Sequence, residues 1–276
     1  MTVSGHLKRS RRGHSPSDWN GKTVGGYSIC RVWVRHSLQA IFQSTISSIL
    51  KNADCQSTVR LWLFDLDGTL VDTLPDLYAA LAEVCRMHDR PPPGLEQTRW
   101  VVSHGLRAML ELVWGPLSDP GSYGDLRQEF ISYYRAHLSD HSHLMPGMTE
   151  VLEELSRRNQ PWGVVTNKPA FLSHPLIDSL ALATQPGVIV SGDTSSHAKP
   201  HPAPILDALS QTRAKPHEAV YIGDAETDMT AGRAAGVAVL VALWGYLAPT
   251  DHPESWHADG LLENPSALLT WPGDST

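Results

Sequence analysis

The chain has 276 residues, 41% of them hydrophobic and 18% charged, with a formal net charge of −7. That size buries a full core without staples, the composition excludes a disordered chain, and no window approaches the roughly 18 unbroken apolar residues of a membrane-spanning helix. Three widely spaced cysteines, Cys30, Cys55 and Cys85, form neither a disulfide framework nor a CxxC zinc pattern, so unpaired thiols in a reducing cytoplasm are expected.

Charge is divided unevenly. Residues 1–60 hold nine Lys/Arg against two Asp/Glu, a balance of +7, while residues 61–276 hold thirteen against twenty-seven, a balance of −14. An acidic body is not built to track a phosphate backbone, so no nucleic-acid partner and no membrane are expected. Residues 1–58 carry a basic cluster (Lys8, Arg9, Arg11, Arg12) and little periodicity. A nucleic-acid arm, a targeting peptide and an export signal are all open to them. Arg11-Arg12 suggests twin-arginine export, but the polar, Gly-rich stretch from Gly13 to Gly26 stands where the apolar segment would be needed. The reading adopted is a basic extension, disordered or without catalytic role and consistent with an over-extended start, with a short amphipathic helix from Ser37 to Leu50.

Regular structure begins at Val59. The apolar run Val59–Phe64 predicts a buried strand that delivers Asp65 and Asp67 to a turn. Helical patterns follow at Pro75–Met87, Trp100–Trp114 and Asp125–Leu138, with Pro91-Pro92-Pro93-Gly94 breaking the chain between the first two. No strand pattern lies between Leu74 and His143, which predicts an all-helical insert. From Pro146 onward helix and strand alternate: helices at Thr149–Arg158, Ala170–Leu180, Ala203–Ser210 and Asp228–Ala235, strands at Trp162–Val165, Val188–Val190, Ala219–Ile222 and Val237–Val241. Five apolar strands separated by helices predict an α/β fold, a Rossmann-like parallel sheet covered on both faces. Ligands of such sheets bind beyond the carboxyl ends of the strands, where Asp65, Asp67, Thr166, Lys199, Asp224 and Asp228 are expected.

Two carboxylates two residues apart at one strand end repel each other, and the arrangement is costly unless a cation sits between them. Gly68 permits a tight turn, and Thr69 offers a hydroxyl and a backbone N–H to an anion. The full string Phe64-Asp65-Leu66-Asp67-Gly68-Thr69-Leu70-Val71-Asp72-Thr73 resembles the first motif of the haloacid dehalogenase superfamily of phosphatases. Thr166 in Gly163-Val164-Val165-Thr166-Asn167-Lys168-Pro169 resembles the second motif, Lys199 in Lys199-Pro200-His201-Pro202 the third, and Gly223-Asp224-Ala225-Glu226-Thr227-Asp228 the acidic fourth. The likeness covers about residues 59 to 270.

The resemblance implies a core of residues 59–74 and 144–276 with a mobile helical cap at 75–143. It implies that Asp65 takes the phosphoryl group and that Asp67 carries the proton, with Thr166 and Lys199 holding phosphoryl oxygens. Mg²⁺ would be held by Asp65, Asp224, Asp228 and the backbone carbonyl of Asp67. Asp67 separates phosphatases of the superfamily from its dehalogenases, and no lysine between Lys51 and Lys168 provides the Schiff base of its phosphonate hydrolases. Thr69 and Asn167 are expected to contact substrate, as are His104 in the cap loop Ser103-His104-Gly105 and Arg107 behind it. Arg107 or Arg99 is the candidate partner of a substrate carboxylate.

Trp162–Pro169, Trp244-Gly245-Tyr246 and the stretch from His252 to Asp259 look like the phosphoglycolate phosphatase group that includes N-acetylmuramic acid 6-phosphate phosphatases. A small phosphorylated substrate carrying a carboxylate is therefore implied. Two enzymatic alternatives stay open, a sugar phosphatase of other specificity and a phosphomutase, and one of another class, a binding or regulatory protein working through its basic arm. His137, His141 and His143 straddle a helix end without a matching Cys or carboxylate and read as structural or solvated. Trp100, Trp114, Tyr133 and Tyr134 read as cap core.

Overall fold

A computed structural model describes residues 59–182 and 184–271. The basic cluster, the Ser37–Leu50 helix, Cys30 and Cys55 lie outside the described residues. The central strand β1 (Leu61–Phe64) is buried along its whole length. Alternation of side chains sends Trp62 and Phe64 into one apolar layer and Leu61 and Leu63 into the other. The neighbouring strands repeat the rule: Val220 and Ile222 join the first layer, Ala219 and Tyr221 the second. Each large apolar side chain so enclosed contributes about 1.5–3 kcal/mol. A strand buried on both faces must be apolar throughout, which is why this one reads as an unbroken run.

Beside β1 lie β4 (Trp162–Val165) and β6 (Ala219–Gly223), then β5 (Val188–Val190) outside β4 and β7 (Ala238–Ala242) outside β6. All pairings in this sheet are parallel. A sixth strand, β8 (Gly260–Leu262), adds to the edge and was not expected. It is three residues long, opens on glycine and exposes Leu261, so it carries neither alternation nor a buried run. The order is β5-β4-β1-β6-β7-β8.

Between β1 and β4 the chain makes the helical insert: α1 (Leu74–Met87), α2 (Leu95–Val102), α3 (Leu106–Trp114) and α4 (Pro120–Ala136). The helix expected over Trp100–Trp114 is two helices. Gly105 has φ of +85° and ψ of 177°, a conformation open essentially to glycine alone, and the helical phase is lost there. The insert's entry and exit are joined by an unexpected ladder, β2 (Val71–Asp72) antiparallel to β3 (His143–Leu144).

Below the ladder the neck is tied by Asp76. Its buried carboxylate accepts from His141 N at 3.0 Å, Ser142 N at 2.8 Å and Ser142 Oγ at 2.6 Å. His141 thus contributes its backbone to the neck, and His137 lies 2.8 Å from Asp140. Four more helices cover the sheet: α5 (Met148–Arg157), α6 (Ala170–Ser179), α7 (Ala203–Thr212) and α8 (Glu226–Ala235).

Candidate active site

Asp65 follows the last residue of β1, and its N–H donates to Ile222 O of β6 at 2.8 Å, which fixes it at the carboxyl edge of the sheet. Thr166 follows β4, Lys199 lies in the loop after β5, and Asp224 follows β6. Four adjacent strands thus deliver their C-terminal residues to one place. Gly68 makes the turn possible: its φ is +86°, and a Cβ there would stand 2.5 Å from Asp224 Oδ2 and 2.7 Å from the Tyr246 ring.

Carboxylate oxygens of Asp65, Asp224 and Asp228 lie within 4.8 Å of one another. Lys199 Nζ stands among them, 2.8 Å from Asp65 Oδ1 and 2.7 Å from Asp228 Oδ1, and it also donates to Tyr221 OH at 2.8 Å. Burial opposes charge on this lysine, but Asp228 and Asp65 outweigh it and hold the ammonium firmly protonated. One ammonium does not balance three carboxylates. Burial pushes Asp65 up to about 8, with the charges of Asp228 and Asp224 adding to the effect against Lys199. Burial likewise pushes Asp224 up to about 7, with Asp228 next in weight.

This surplus of negative charge on oxygen donors fits a hard divalent cation, which would stabilise the ionised form of all three. Asp224 is held ready for it by Thr69 Oγ1 at 3.0 Å and Tyr246 N at 2.7 Å.

Asp67 occupies different surroundings. Its Oδ1 accepts from Lys168 Nζ at 2.8 Å and from Thr73 Oγ1 at 2.7 Å, so its charge is matched by a cation of its own. The Lys168 ammonium lies 4.7 Å from the ring centre of Tyr134 on α4, which caps it from the insert side. The Tyr134 phenol is buried, which pushes it up to about 12. Sequence reasoning missed Lys168 and Tyr134 as site residues. The signal lay in the Thr166-Asn167-Lys168 string, where a buried position three residues beyond the strand end at Val165 was available to lysine.

A cavity of about 280 Å³ opens over Asp65 and Asp67. Thr166, Asn167, Lys168 and Lys199 line its core side, and Leu77, Val102, Leu106, Met109, Phe130 and Ile131 line its cap side. Thr166 Oγ1 accepts Lys168 N at 3.1 Å and keeps its own proton for a ligand. Asn167 borders the cavity, but both ends of its amide are taken by Lys199: Nδ2 donates to the lysine's O at 3.0 Å and Oδ1 accepts its N–H at 2.9 Å. It therefore fixes the lysine. Thr69 likewise serves Asp224 and does not border the cavity.

The two expected cap contacts are not brought to this cavity. His104 is exposed and borders a separate polar cavity of about 230 Å³ on the far side of Asp224. Arg107 is turned outward along α3, where it donates to Leu117 O at 2.8 Å and covers the Tyr123 ring. The break at Gly105 sets that direction. Arg99 is also engaged, donating to Gly245 O at 2.8 Å.

The loop Trp244-Gly245-Tyr246 joins these parts. Trp244 Nε1 donates to Thr69 O at 3.0 Å. The buried Tyr246 phenol accepts from Thr73 N at 2.8 Å and Leu74 N at 2.9 Å and donates to Asp72 at 2.7 Å.

Residues 62–242 match the family model for haloacid dehalogenase-like hydrolases. The chain is 39% identical over 216 residues to a phosphoglycolate phosphatase of Xanthomonas campestris pv. campestris, covering 77% of this chain and 97% of that one. It is 37% identical over 207 residues to an N-acetylmuramic acid 6-phosphate phosphatase of Pseudomonas aeruginosa, covering 75% and 92%. A solved haloacid dehalogenase-like family hydrolase from Streptococcus pneumoniae superposes with a TM-score of 0.66 at 26% identity, covering 78% of this chain and 98% of that one.

Proposed function

The chain belongs to the haloacid dehalogenase-like hydrolase family and is a phosphoric monoester hydrolase, and from that premise we propose a Mg²⁺-dependent enzyme that works through an aspartyl-phosphate. One observation carries the reading: Asp65 is grouped with Asp224 and Asp228, while Lys168 and Thr73 hold Asp67 apart. Two carboxylates in unlike surroundings can take unlike roles.

An Asp65 oxygen attacks phosphorus, the bond from phosphorus to the ester oxygen breaks, and Asp67 gives that oxygen its proton. Asp67 then takes a proton from water, the water oxygen attacks phosphorus, and the bond to Asp65 breaks to release inorganic phosphate. Lys199 and the Thr166 hydroxyl hold phosphoryl oxygens as charge redistributes. Asp65, Asp224, Asp228 and the Asp67 carbonyl would hold Mg²⁺, which when bound lowers the repulsion between the nucleophile and an anionic ester.

The proposed substrate is a small carboxylated phosphate ester, 2-phosphoglycolate or N-acetylmuramate 6-phosphate, as the names of the similar enzymes suggest. A cytoplasmic setting accords with the buried Cys85, which forms no disulfide among the described residues, and the second substrate would place the reaction in peptidoglycan recycling. Residues 1–58 take no part in catalysis on this reading, and residues 75–143 act as the lid. Phosphate release from each ester with Mg²⁺ and with chelator tests the proposal. Expected is turnover that needs the cation and disappears in Asp65→Asn; unchanged kcat in that variant overturns it.

A further inference from the structure

Helix α4 turns Arg127, Phe130, Ile131 and Tyr134 to the cavity, positions that share one helical face. Tyr134 marks the reacting end, since its ring covers the lysine that holds Asp67. Arg127 lies two turns away, about 10 Å along the axis at 1.5 Å per residue. The apolar side chains of Phe130 and Ile131 fill the interval. Three cations border the cavity: Arg127, Lys168 and Lys199. Both lysines are paired with carboxylates of the reacting centre. Arg99 and Arg107 are committed to backbone carbonyls. Among the described residues Arg127 makes no ion pair and no side-chain hydrogen bond, and it is an exposed residue that borders the cavity beyond Phe130 and Ile131 on the same helix.

We propose that Arg127 binds the substrate's carboxylate and that its distance from the reacting centre selects an ester whose carboxylate stands a sugar ring away from its phosphate. The proposal rests on the phosphatase reading above. A guanidinium matches a carboxylate in two parallel hydrogen bonds, which fixes both charge and orientation. In N-acetylmuramate 6-phosphate the lactyl carboxylate hangs from O3 and the phosphate from O6, so the C3–C4–C5 side of the sugar ring lies between the two anionic ends. Its acetamido and lactyl methyl groups would cover Phe130, Ile131 and their neighbours. In 2-phosphoglycolate a single methylene separates the two anionic ends, and the apolar wall would stay bare.

The test compares kcat/KM for N-acetylmuramate 6-phosphate, for N-acetylglucosamine 6-phosphate (the same kind of amino sugar without the lactyl group) and for 2-phosphoglycolate. Each is measured with the wild-type enzyme, Arg127→Gln and Arg127→Lys in the presence of Mg²⁺. Expected is a wild-type preference for the muramate ester over its carboxyl-free counterpart. In Arg127→Gln that ratio falls about 10- to 100-fold, the range of a charge-assisted hydrogen bond, chiefly through KM, and Arg127→Lys recovers part of it. An unchanged ratio in Arg127→Gln overturns the assignment. An equal loss on 2-phosphoglycolate would leave Arg127 as a carboxylate binder and overturn the selection by length. Wild-type turnover of all esters without preference for a carboxylate sinks this proposal while the phosphatase reading stands; no phosphate release from any ester sinks both.

Discussion

Tyr246 binds Asp224 and Asp72 at once: its N–H donates to Asp224 Oδ2 at 2.7 Å, and its phenol donates to Asp72 Oδ1 at 2.7 Å. The same phenol oxygen accepts both N–H groups at the start of α1. A single residue therefore links, through its backbone N–H and its phenol, a carboxylate of the candidate site to the neck of the insert. Tyr246→Phe keeps the ring against Gly68 and deletes only the oxygen. Two buried amides and Asp72 then lose a partner, at about 1–3 kcal/mol for such a loss, or a fall in Tm of about 2–12 °C in a body of this size. Deuterium uptake at the amides of Thr73 and Leu74 should rise well above that of β6. Equal protection of those amides in the two proteins would remove Tyr246 from this role.

Much of the candidate site was legible because strand ends are legible. Buried parallel strands are unbroken apolar runs, so Phe64, Val165 and Gly223 mark their own termini and the polar residues beyond them fall at one edge. What escaped depended on direction. A lysine after a strand end does not declare that it will fold back on Asp67, and a tyrosine in a helical stripe looks like core until its neighbour proves to be an ammonium. Arg107 and Arg127 both sit on helices of the insert. The first follows the turn at Gly105 and donates to Leu117 O outside the cavity, and a glycine in the sequence marks a break without giving the direction the chain takes after it.

Separate surroundings for Asp65 and Asp67 predict that their amide variants fail at different steps. On the proposed roles Asp65→Asn would have no nucleophile. Asp67→Asn retains it but loses proton transfer, which is worth about 10²- to 10⁴-fold in rate. With an ester whose leaving group needs no proton, such as p-nitrophenyl phosphate, the first displacement in Asp67→Asn should still run while hydrolysis of the aspartyl-phosphate stalls. A stoichiometric burst of p-nitrophenol followed by slow turnover is expected, with label from ³²P-phosphoester retained on the protein. A linear time course without retained label in that variant would place the proton elsewhere.

Asp76 does for the neck what a metal does for a loop. Its carboxylate gathers two backbone amides and a hydroxyl from the chain leaving the insert, all across 65 or 66 residues of sequence. Asp76→Ala leaves His141 N, Ser142 N and Ser142 Oγ without their common acceptor. The expected loss is about 3 kcal/mol, a fall in Tm of about 6–12 °C. Asp76→Asn, which keeps an acceptor, should recover part of it. If Asp76→Ala melts with the wild type, the insert does not depend on this anchor.

The crowded carboxylates make stability depend on pH and on cation together. Asp65 in the folded chain is raised to about 8 from an ordinary 3.8, and Asp224 to about 7, with burial the leading cause for both. Between those limits the unfolded chain has released these protons and the folded chain retains them. The folded state binds more protons, so cation-free stability falls as pH rises from about 4 toward 8 and the loss is complete above that. On the proposed reading Mg²⁺ would bind the ionised carboxylates, so at pH 5 protons would compete with it and at pH 8 they would not. Its gain in Tm should therefore be larger at pH 8. Melting curves at both pH values, in chelator and in excess Mg²⁺, measure this directly. Asp224→Asn removes one of the like charges and should flatten the fall of Tm with pH in chelator while shrinking the Mg²⁺ gain. A Mg²⁺ gain that is the same at pH 5 and pH 8, or that survives intact in Asp224→Asn, would mean that the cation binds elsewhere than at these strand tips.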